Sequence, residues 1–229
     1  MRQVFNQYPC IPPEEQEVVR KLYYKYGRLQ RVKKNKILKC GGECNKLFYL
    51  KKGLCMYMVN YDQDKPRALA IIPPGRAMGD LTCLSGEIVN VTTVVKRDSE
   101  VLIIPPDILT KCMKQDFDVS QAIIKTTIAK QECFLEGMIA NFTLDYEDRL
   151  RTLFKSLIIS FQCPIEDFTK VPLALNNTEL GDIINSTRVT VSRILTKWQR
   201  EGLARKEEKQ LYLSQKLFND LYDWQDYFK

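Results

Sequence analysis

The chain has 229 residues, 45% apolar and 28% charged, and its 35 basic side chains outnumber 28 acidic ones for a net charge of +7. That is the composition of a globular protein with one large domain or two small ones, outside the disordered and membrane-spanning ranges. The absence of histidine removes the commonest general base, the usual haem ligand and most zinc and iron sites.

The first residues, Met1-Arg-Gln-Val-Phe-Asn-Gln-Tyr8, hold no apolar signal core. The greasiest runs, residues 101–104 and 157–161, fall far short of the roughly 18 residues that span a bilayer. The expectation is a cytoplasmic protein with no membrane partner. Its eight cysteines, at 10, 40, 44, 55, 83, 112, 133 and 163, then read as reduced thiols. Most sit among apolar residues as small core groups, and their spacing matches no cluster or metal site, so no cofactor or metal is expected.

From about residue 29 to 105 the pattern is short β-rich segments broken by turn residues. Lys36-Ile-Leu-Lys-Cys40 runs into Gly41-Gly42, and Leu47-Phe-Tyr-Leu50 into Lys51-Lys52-Gly53. Cys55-Met-Tyr-Met-Val-Asn-Tyr61 precedes a polar turn at 62–65, and Ala68-Leu-Ala-Ile-Ile72 precedes Pro73-Pro74-Gly75. Val91-Thr-Thr-Val-Val95 and Val101-Leu-Ile-Ile104 follow. This spacing predicts an antiparallel sandwich or barrel.

From about 107 to 150 the pattern turns helical, with Gly137 the only breaker. Ile124, Ile128, Gln131, Leu135, Met138 and Phe142 recur at alternating spacings of four and three, a heptad seam. A helix lying on its own domain's core is the plainer reading. The regular seam favours a two-fold dimer interface on a helix at 117–143, while Ile123, Thr127 and Phe134 widen the apolar face toward the chain's own barrel. The stretch 142–145 reads as a hinge, 149–161 as a further helix, and Pro164 marks a loop.

Residues 177–198, Asn-Thr-Glu-Leu-Gly-Asp-Ile-Ile-Asn-Ser-Thr-Arg-Val-Thr-Val-Ser-Arg-Ile-Leu-Thr-Lys-Trp, read as two helices around a turn at Asn185-Ser186. The first, capped at Asn177 or Thr178, buries Leu180, Ile183 and Ile184; the second buries Val191, Ile194, Leu195 and Trp198. Arg188, Val189, Ser192 and Arg193 are left on the exposed early face of the second helix, as in a helix that reads DNA bases. Arginine bonds guanine bidentately, serine bonds bases or phosphates, and valine touches a thymine methyl. Thr178, Thr187 and Thr190 are placed for phosphate. Residues 201–206 and 210–213 form a hairpin wing with Lys206 and Lys209 near its tip. Duplex DNA is the expected partner. A helix-turn-helix that serves only protein contacts is the alternative, and a jelly-roll enzyme is disfavoured by the missing histidines.

These features resemble the cyclic-AMP receptor protein and fumarate–nitrate regulator (Crp/Fnr) family of bacterial transcription factors, from Arg28 to Leu213. The specific marks are Pro74-Gly75-x3-Gly79-Asp80-Leu81, Asp98-Ser-Glu-Val-Leu-Ile-Ile104 and Val189-Thr-Val-Ser-Arg193. The resemblance implies an α+β architecture: an N-terminal β jelly-roll effector domain (1–116), a dimerisation helix (117–143) and a C-terminal winged helix-turn-helix (144–229). It also implies a non-enzymatic homodimer that works with RNA polymerase. Members often read bases with Arg, Glu and Arg; here Arg188 and Arg193 match but Val189 replaces the Glu. That removes an acceptor for the cytosine amino group and predicts an A/T-rich half-site.

In nucleotide-binding members a Gly-Glu-Leu turn holds ribose, and an Arg-Ser pair grips phosphate. Here the corresponding positions are Met78, Gly79, Asp80 and Leu81, then Asn90, Thr92 and Thr93, with no arginine, and Phe134 and Leu135 stand where hydroxyls would meet the base. Cyclic AMP does not fit. The iron–sulfur and haem modes fail for want of a cysteine cluster and a histidine. An unidentified small molecule, a thiol switch at Cys10, Cys40 or Cys44, or no effector remains; Tyr57 joins the cleft residues, with Lys51 or Arg76 as candidate anion partners.

Overall fold

The computed structural model describes residues 4–42, 45–59, 67–164, 166–208, 210–219 and 221. The chain divides into two compact units, Pro12–Gln131 and a second made of Met1–Ile11 with Glu132–Lys229.

The first unit contains α1 (Glu17–Tyr26), β1 (Arg28–Val32), β2 (Ile37–Cys40), β3 (Leu47–Val59), β4 (Arg67–Ile72), β5 (Ala77–Met78), α2 (Asp80–Ser85), β6 (Thr92–Ile104) and α3 (Pro106–Gln115). It also holds the first half of α4 (Phe117–Thr143). The strands form one antiparallel sheet in the order β1-β6-β3-β4, with β2 on the early part of β6 and β5 on β3. This is the antiparallel β domain anticipated from the strand spacing, and it fits the jelly roll that the resemblance implies.

Two details differ from that reading. Lys51-Lys52-Gly53 is not a turn, and residues 92–104 are not two strands: β3 and β6 each run 13 residues without a break. The turn-like residues are absorbed as bulges, where the β3–β6 register shifts between Leu50 and Lys52, Lys52 and Leu54, and Leu54 and Cys55. Gly53 sits there at φ +106°, and a Cβ on it would stand 2.1 Å from the Ser99 Oγ. That hydroxyl donates to the Arg97 carbonyl (2.7 Å) and accepts from the Leu54 N–H (3.3 Å).

Inward residues of β3 and β6, including Leu47, Tyr49, Leu102 and Ile104, pack against Val19, Leu22 and Tyr23 of α1 and Leu109 of α3. Val119, Ala122 and Ile123 of α4 complete the cluster. Helices α1 and α2 are additions to the elements read from sequence. The helical stretch expected to run unbroken from 107 stops at Asp116. Its backbone is extended, and its carboxylate accepts from the Asp118 and Val119 N–H groups (2.9 and 3.2 Å), starting α4 afresh.

The second unit contains α5 (Tyr146–Ser160), β7 (Phe168–Lys170), α6 (Asn177–Ile183), α7 (Arg188–Arg200), β8 (Ala204–Glu207) and β9 (Gln210–Ser214). Its sheet is antiparallel, ordered β7-β9-β8. The N-terminal residues cross the later part of α4: the Val4 and Phe5 N–H groups donate to the buried Glu136 carboxylate (3.0 and 2.9 Å). Cys10 lies against Gly137, where an added Cβ would meet its Sγ at 2.5 Å. The aromatic-rich stretch 217–228, whose sequence reads as an amphipathic helix, falls mostly outside the described residues; Gln215–Phe218 form one 3-10 turn. Among the described residues no helix is long and apolar enough to cross a membrane.

Gly53→Ala forces a Cβ into Ser99 at a positive φ, so it lowers the free energy of unfolding by about 2–4 kcal/mol. A lower denaturant midpoint at unchanged slope is the expected observation. An unchanged midpoint contradicts the bulged crossing of β3 and β6.

Candidate nucleic-acid interface

Helix α6 begins one residue earlier than expected, at an Asn176 cap. The Asn176 Oδ1 accepts from the Thr178 and Glu179 N–H groups (3.0 and 2.9 Å), and the Glu179 carboxylate accepts from the Asn176 N–H (2.9 Å). This capping box outcompetes a cap at Asn177 or Thr178 because it satisfies both ends at once. The following turn uses Asn185 at φ +54°, and the Ser186 N–H donates to the Gly181 carbonyl (2.8 Å). A Cβ on Gly181 would lie 3.1 Å from the Ser186 oxygen, so glycine there lets the second helix start close over the first. Thr187 caps α7 by accepting from the Thr190 N–H (3.2 Å).

Val191, Ile194 and Trp198 anchor the inner face of α7, Leu195 is half-buried, and Trp198 meets the Phe154 ring edge-on at 6.3 Å. Arg188, Val189, Ser192 and Arg193 all lie on the exposed face, Val189 at 57% of full exposure. The first turn of α7 holds no acidic residue, so the positive end of the helix and two guanidiniums face outward together. Thr178 and Thr187 are exposed, Thr190 is half-buried, and the two hydroxyls at 187 and 190 lie 3.0 Å apart. Lys206 is exposed on β8, while Lys209 lies outside the described residues. Arg205 stacks between Phe168 (4.7 Å) and Tyr212 (5.1 Å), bracing the wing.

Three side chains that the sequence did not single out hold this pair of helices. The Glu147 carboxylate accepts from Trp198 Nε1 (2.8 Å) and pairs with Lys197 Nζ (2.8 and 3.0 Å). Arg149 donates to the carbonyls of Leu144 (2.8 Å) and Ile184 (3.2 Å), and the Asn141 amide donates to the Ile183 carbonyl (3.3 Å). Burial alone would raise the Glu147 pKa, but the bonds from Lys197 and Trp198 outweigh it and hold the carboxyl below its ordinary value.

The expected effector residues divide between the units. Met78, Asp80 and Thr93 are buried, Gly79, Leu81, Tyr57 and Thr92 half-buried, and Asn90 exposed, all in the β unit. Phe134, half-buried, and Leu135, exposed, belong to the helical unit. Arg76 is not open to an outside anion. It is buried and donates to the Pro12 and Pro74 carbonyls and to Glu14. Lys51 is exposed, its ammonium 5.9 Å from the Tyr24 ring. Cys10 is no exposed thiol either: it is buried, and burial pushes its pKa up to about 12. Cys40 is exposed, and Cys44 lies outside the described residues. Along α4, Ile124, Ile128, Leu135, Met138 and Phe142 are exposed and Gln131 half-buried, whereas Ala122, Ile123, Cys133 and Ala140 are buried.

Residues 29–116 match the cyclic nucleotide-binding domain family, and residues 149–215 match the Crp-like helix-turn-helix domain. Among solved structures, a CooA mutant from Carboxydothermus hydrogenoformans superposes with a TM-score of 0.70 at 21% identity, covering 89% of this chain and 90% of that one. FixK2 from Bradyrhizobium japonicum gives 0.73 at 16% identity over 84% and 96%. CLP of Xanthomonas campestris, described as a c-di-GMP-responsive global regulator, gives 0.67 at 16% over 87% and 99%. These similarities establish the shared fold. No curated protein matches the chain by sequence.

Glu147→Ala removes two partners of α7, so it lowers stability at neutral pH by about 1–2 kcal/mol. Because the folded carboxyl titrates below its ordinary 4.5, its contribution is present above that pH and is lost as pH falls through the folded value. Thermal melts taken at falling pH are expected to narrow the gap between the two proteins as Glu147 protonates. A constant gap contradicts the assignment.

Proposed function

Since the chain belongs to the Crp/Fnr family of transcription regulators, we propose that it is a cytoplasmic, non-enzymatic homodimer that reads an A/T-rich palindrome through α7. The observation that carries this reading is the outward face of α7. Arg188, Val189, Ser192 and Arg193 project together from a helix whose other side is anchored by Trp198. Arg188 and Arg193 serve guanine edges or phosphates, Ser192 an adaptable polar contact, and Val189 a thymine methyl. Thr178, Thr187, Thr190, Lys206 and Lys209 set the register on the backbone.

The uncovered heptad face of α4, from Ile124 to Phe142, supports the dimer, and RNA polymerase is the further partner. A second copy places two α7 helices one helical turn apart on DNA, so the site carries two-fold symmetry. The input, an unidentified small molecule or a redox change rather than cyclic AMP, haem or an iron–sulfur cluster, acts by favouring one of two arrangements of α4 and the hinge after it. Met78, Gly79, Asp80, Leu81, Asn90, Thr92, Thr93, Phe134 and Leu135 are the effector region of this reading. With Cys10 buried, Cys40 is the described thiol most open to oxidation.

Selection of bound duplexes from a randomised pool, with and without reductant, tests the reading. A two-fold symmetric A/T-rich site is expected, and Arg188→Ala is expected to weaken binding to it by about 1–3 kcal/mol. Val189→Glu supplies the missing acceptor and shifts preference at one position of each half-site from thymine to cytosine. No enriched site, or partners whose binding ignores salt, favours the protein-interaction alternative.

A further inference from the structure

A charged cluster inside the β unit is made of residues other than those of the outward face of α7. Glu15, just before α1, Asp80, the first residue of α2, and Lys130 of α4 are 7%, 8% and 3% exposed. The Lys130 ammonium lies 2.5 Å from Glu15 Oε1, 2.6 Å from Asp80 Oδ2 and 3.1 Å from the Ala77 carbonyl oxygen. All three of its N–H donors are therefore used. The acceptors are fixed in turn: Glu15 Oε1 accepts from the Ala77 N–H (3.0 Å), and Asp80 Oδ2 from the Thr127 hydroxyl (3.3 Å). Burial alone would lower the Lys130 pKa, but Asp80 and Glu15 outweigh it and keep the ammonium charged. Tyr23 and Tyr57 titrate well above the ordinary range, from burial first and from Asp80 and Glu15 second.

Two carboxylates and a carbonyl converging in a desolvated pocket form a receptor for a primary ammonium and repel any anion. We propose that Glu15, Asp80 and the Ala77 carbonyl are an ammonium site and that Lys130 is its tethered ligand. Occupied from within the chain, the site docks the first half of α4 on the β sheet with no small molecule bound. In the function proposed above, an input signal then acts by shifting this tether rather than by filling an empty pocket. The link to DNA rests on the function proposed above; the site itself does not.

The test is chemical rescue in the full-length protein. Lys130→Ala leaves a gap of three carbons and a nitrogen, the size of n-propylamine. In this variant, affinity for the selected duplex is expected to fall about tenfold or more. Hydrogen exchange of the amides at 122–131 is expected to accelerate. Propylammonium at tens of millimolar restores both, whereas 1-propanol and inorganic phosphate restore neither. Wild-type binding is indifferent to the amine. A folded variant with wild-type exchange, or exchange that no amine restores, overturns the ammonium site. If that variant does not fold, Asp80→Asn keeps the Lys130–Glu15 pair and is expected to show a smaller rise in exchange; unchanged exchange there overturns it as well. If wild type binds no duplex, the proposed function fails, and the exchange rescue alone decides the site.

Discussion

Everything else in the molecule depends on α4 having to satisfy two apolar sides at once. One side is covered by the chain itself: Val119, Ala122 and Ile123 enter the β core, and Cys133, Gly137 and Ala140 are buried further along. The other side leaves Ile124, Ile128, Leu135, Met138 and Phe142 in water, the last at 81% of full exposure. A row of large apolar side chains along one helix face is unfavourable when left wet, and a second copy of the same helix offers the complementary row. The covered side ties α4 to its own chain, and the uncovered side is the face on which the proposed dimer rests.

Helix α7 is held by polar bonds as well as by its apolar inner face. Trp198 buries its ring beside Phe154, but its indole N–H needs an acceptor, and Glu147 supplies one while also pairing with Lys197. Arg149 caps the carbonyl at Ile184, just before the turn. These bonds bring Asn141, Glu147 and Arg149, which flank the junction of α4 and α5, directly onto the helix-turn-helix. A change in the course of the chain at that junction therefore bears directly on the turn and on α7.

The helix-turn-helix was legible in the sequence because its signals are local: an asparagine at the turn and apolar spacing that leaves Arg188, Val189, Ser192 and Arg193 outside, although the first cap stands at Asn176 rather than at 177 or 178. The exposed apolar row along α4 was legible for the same reason. Strand positions were legible but strand continuity was not, since a glycine that makes a bulge at Gly53 looks like one that makes a turn. Asp116 was hidden inside a helical pattern because a cap can stand where no breaker is seen. Glu147 stands among acidic neighbours at the start of α5, where nothing local marks it out, and its partner Trp198 is 51 residues away. Lys130 carried one visible hint, a lone charge at helical spacing from Ile123 and Thr127 on an otherwise apolar face. Its partners, Glu15 and Asp80, come from distant segments, and no local pattern reports such a meeting. Cys10 was a candidate thiol switch beside Cys40 and Cys44, yet the missing Cβ of Gly137 gives it a buried seat.

The most direct measurement is the mass of the full-length protein by sedimentation equilibrium, alone and on a selected duplex carrying one or two half-sites. Pairing through α4 requires a dimer at micromolar concentration and two chains on the two-half-site duplex, with Ile128→Glu and Met138→Glu together returning the protein to monomers. A wild-type protein that stays monomeric, and loads one chain per duplex whatever the number of half-sites, contradicts pairing through α4 and the palindrome with it.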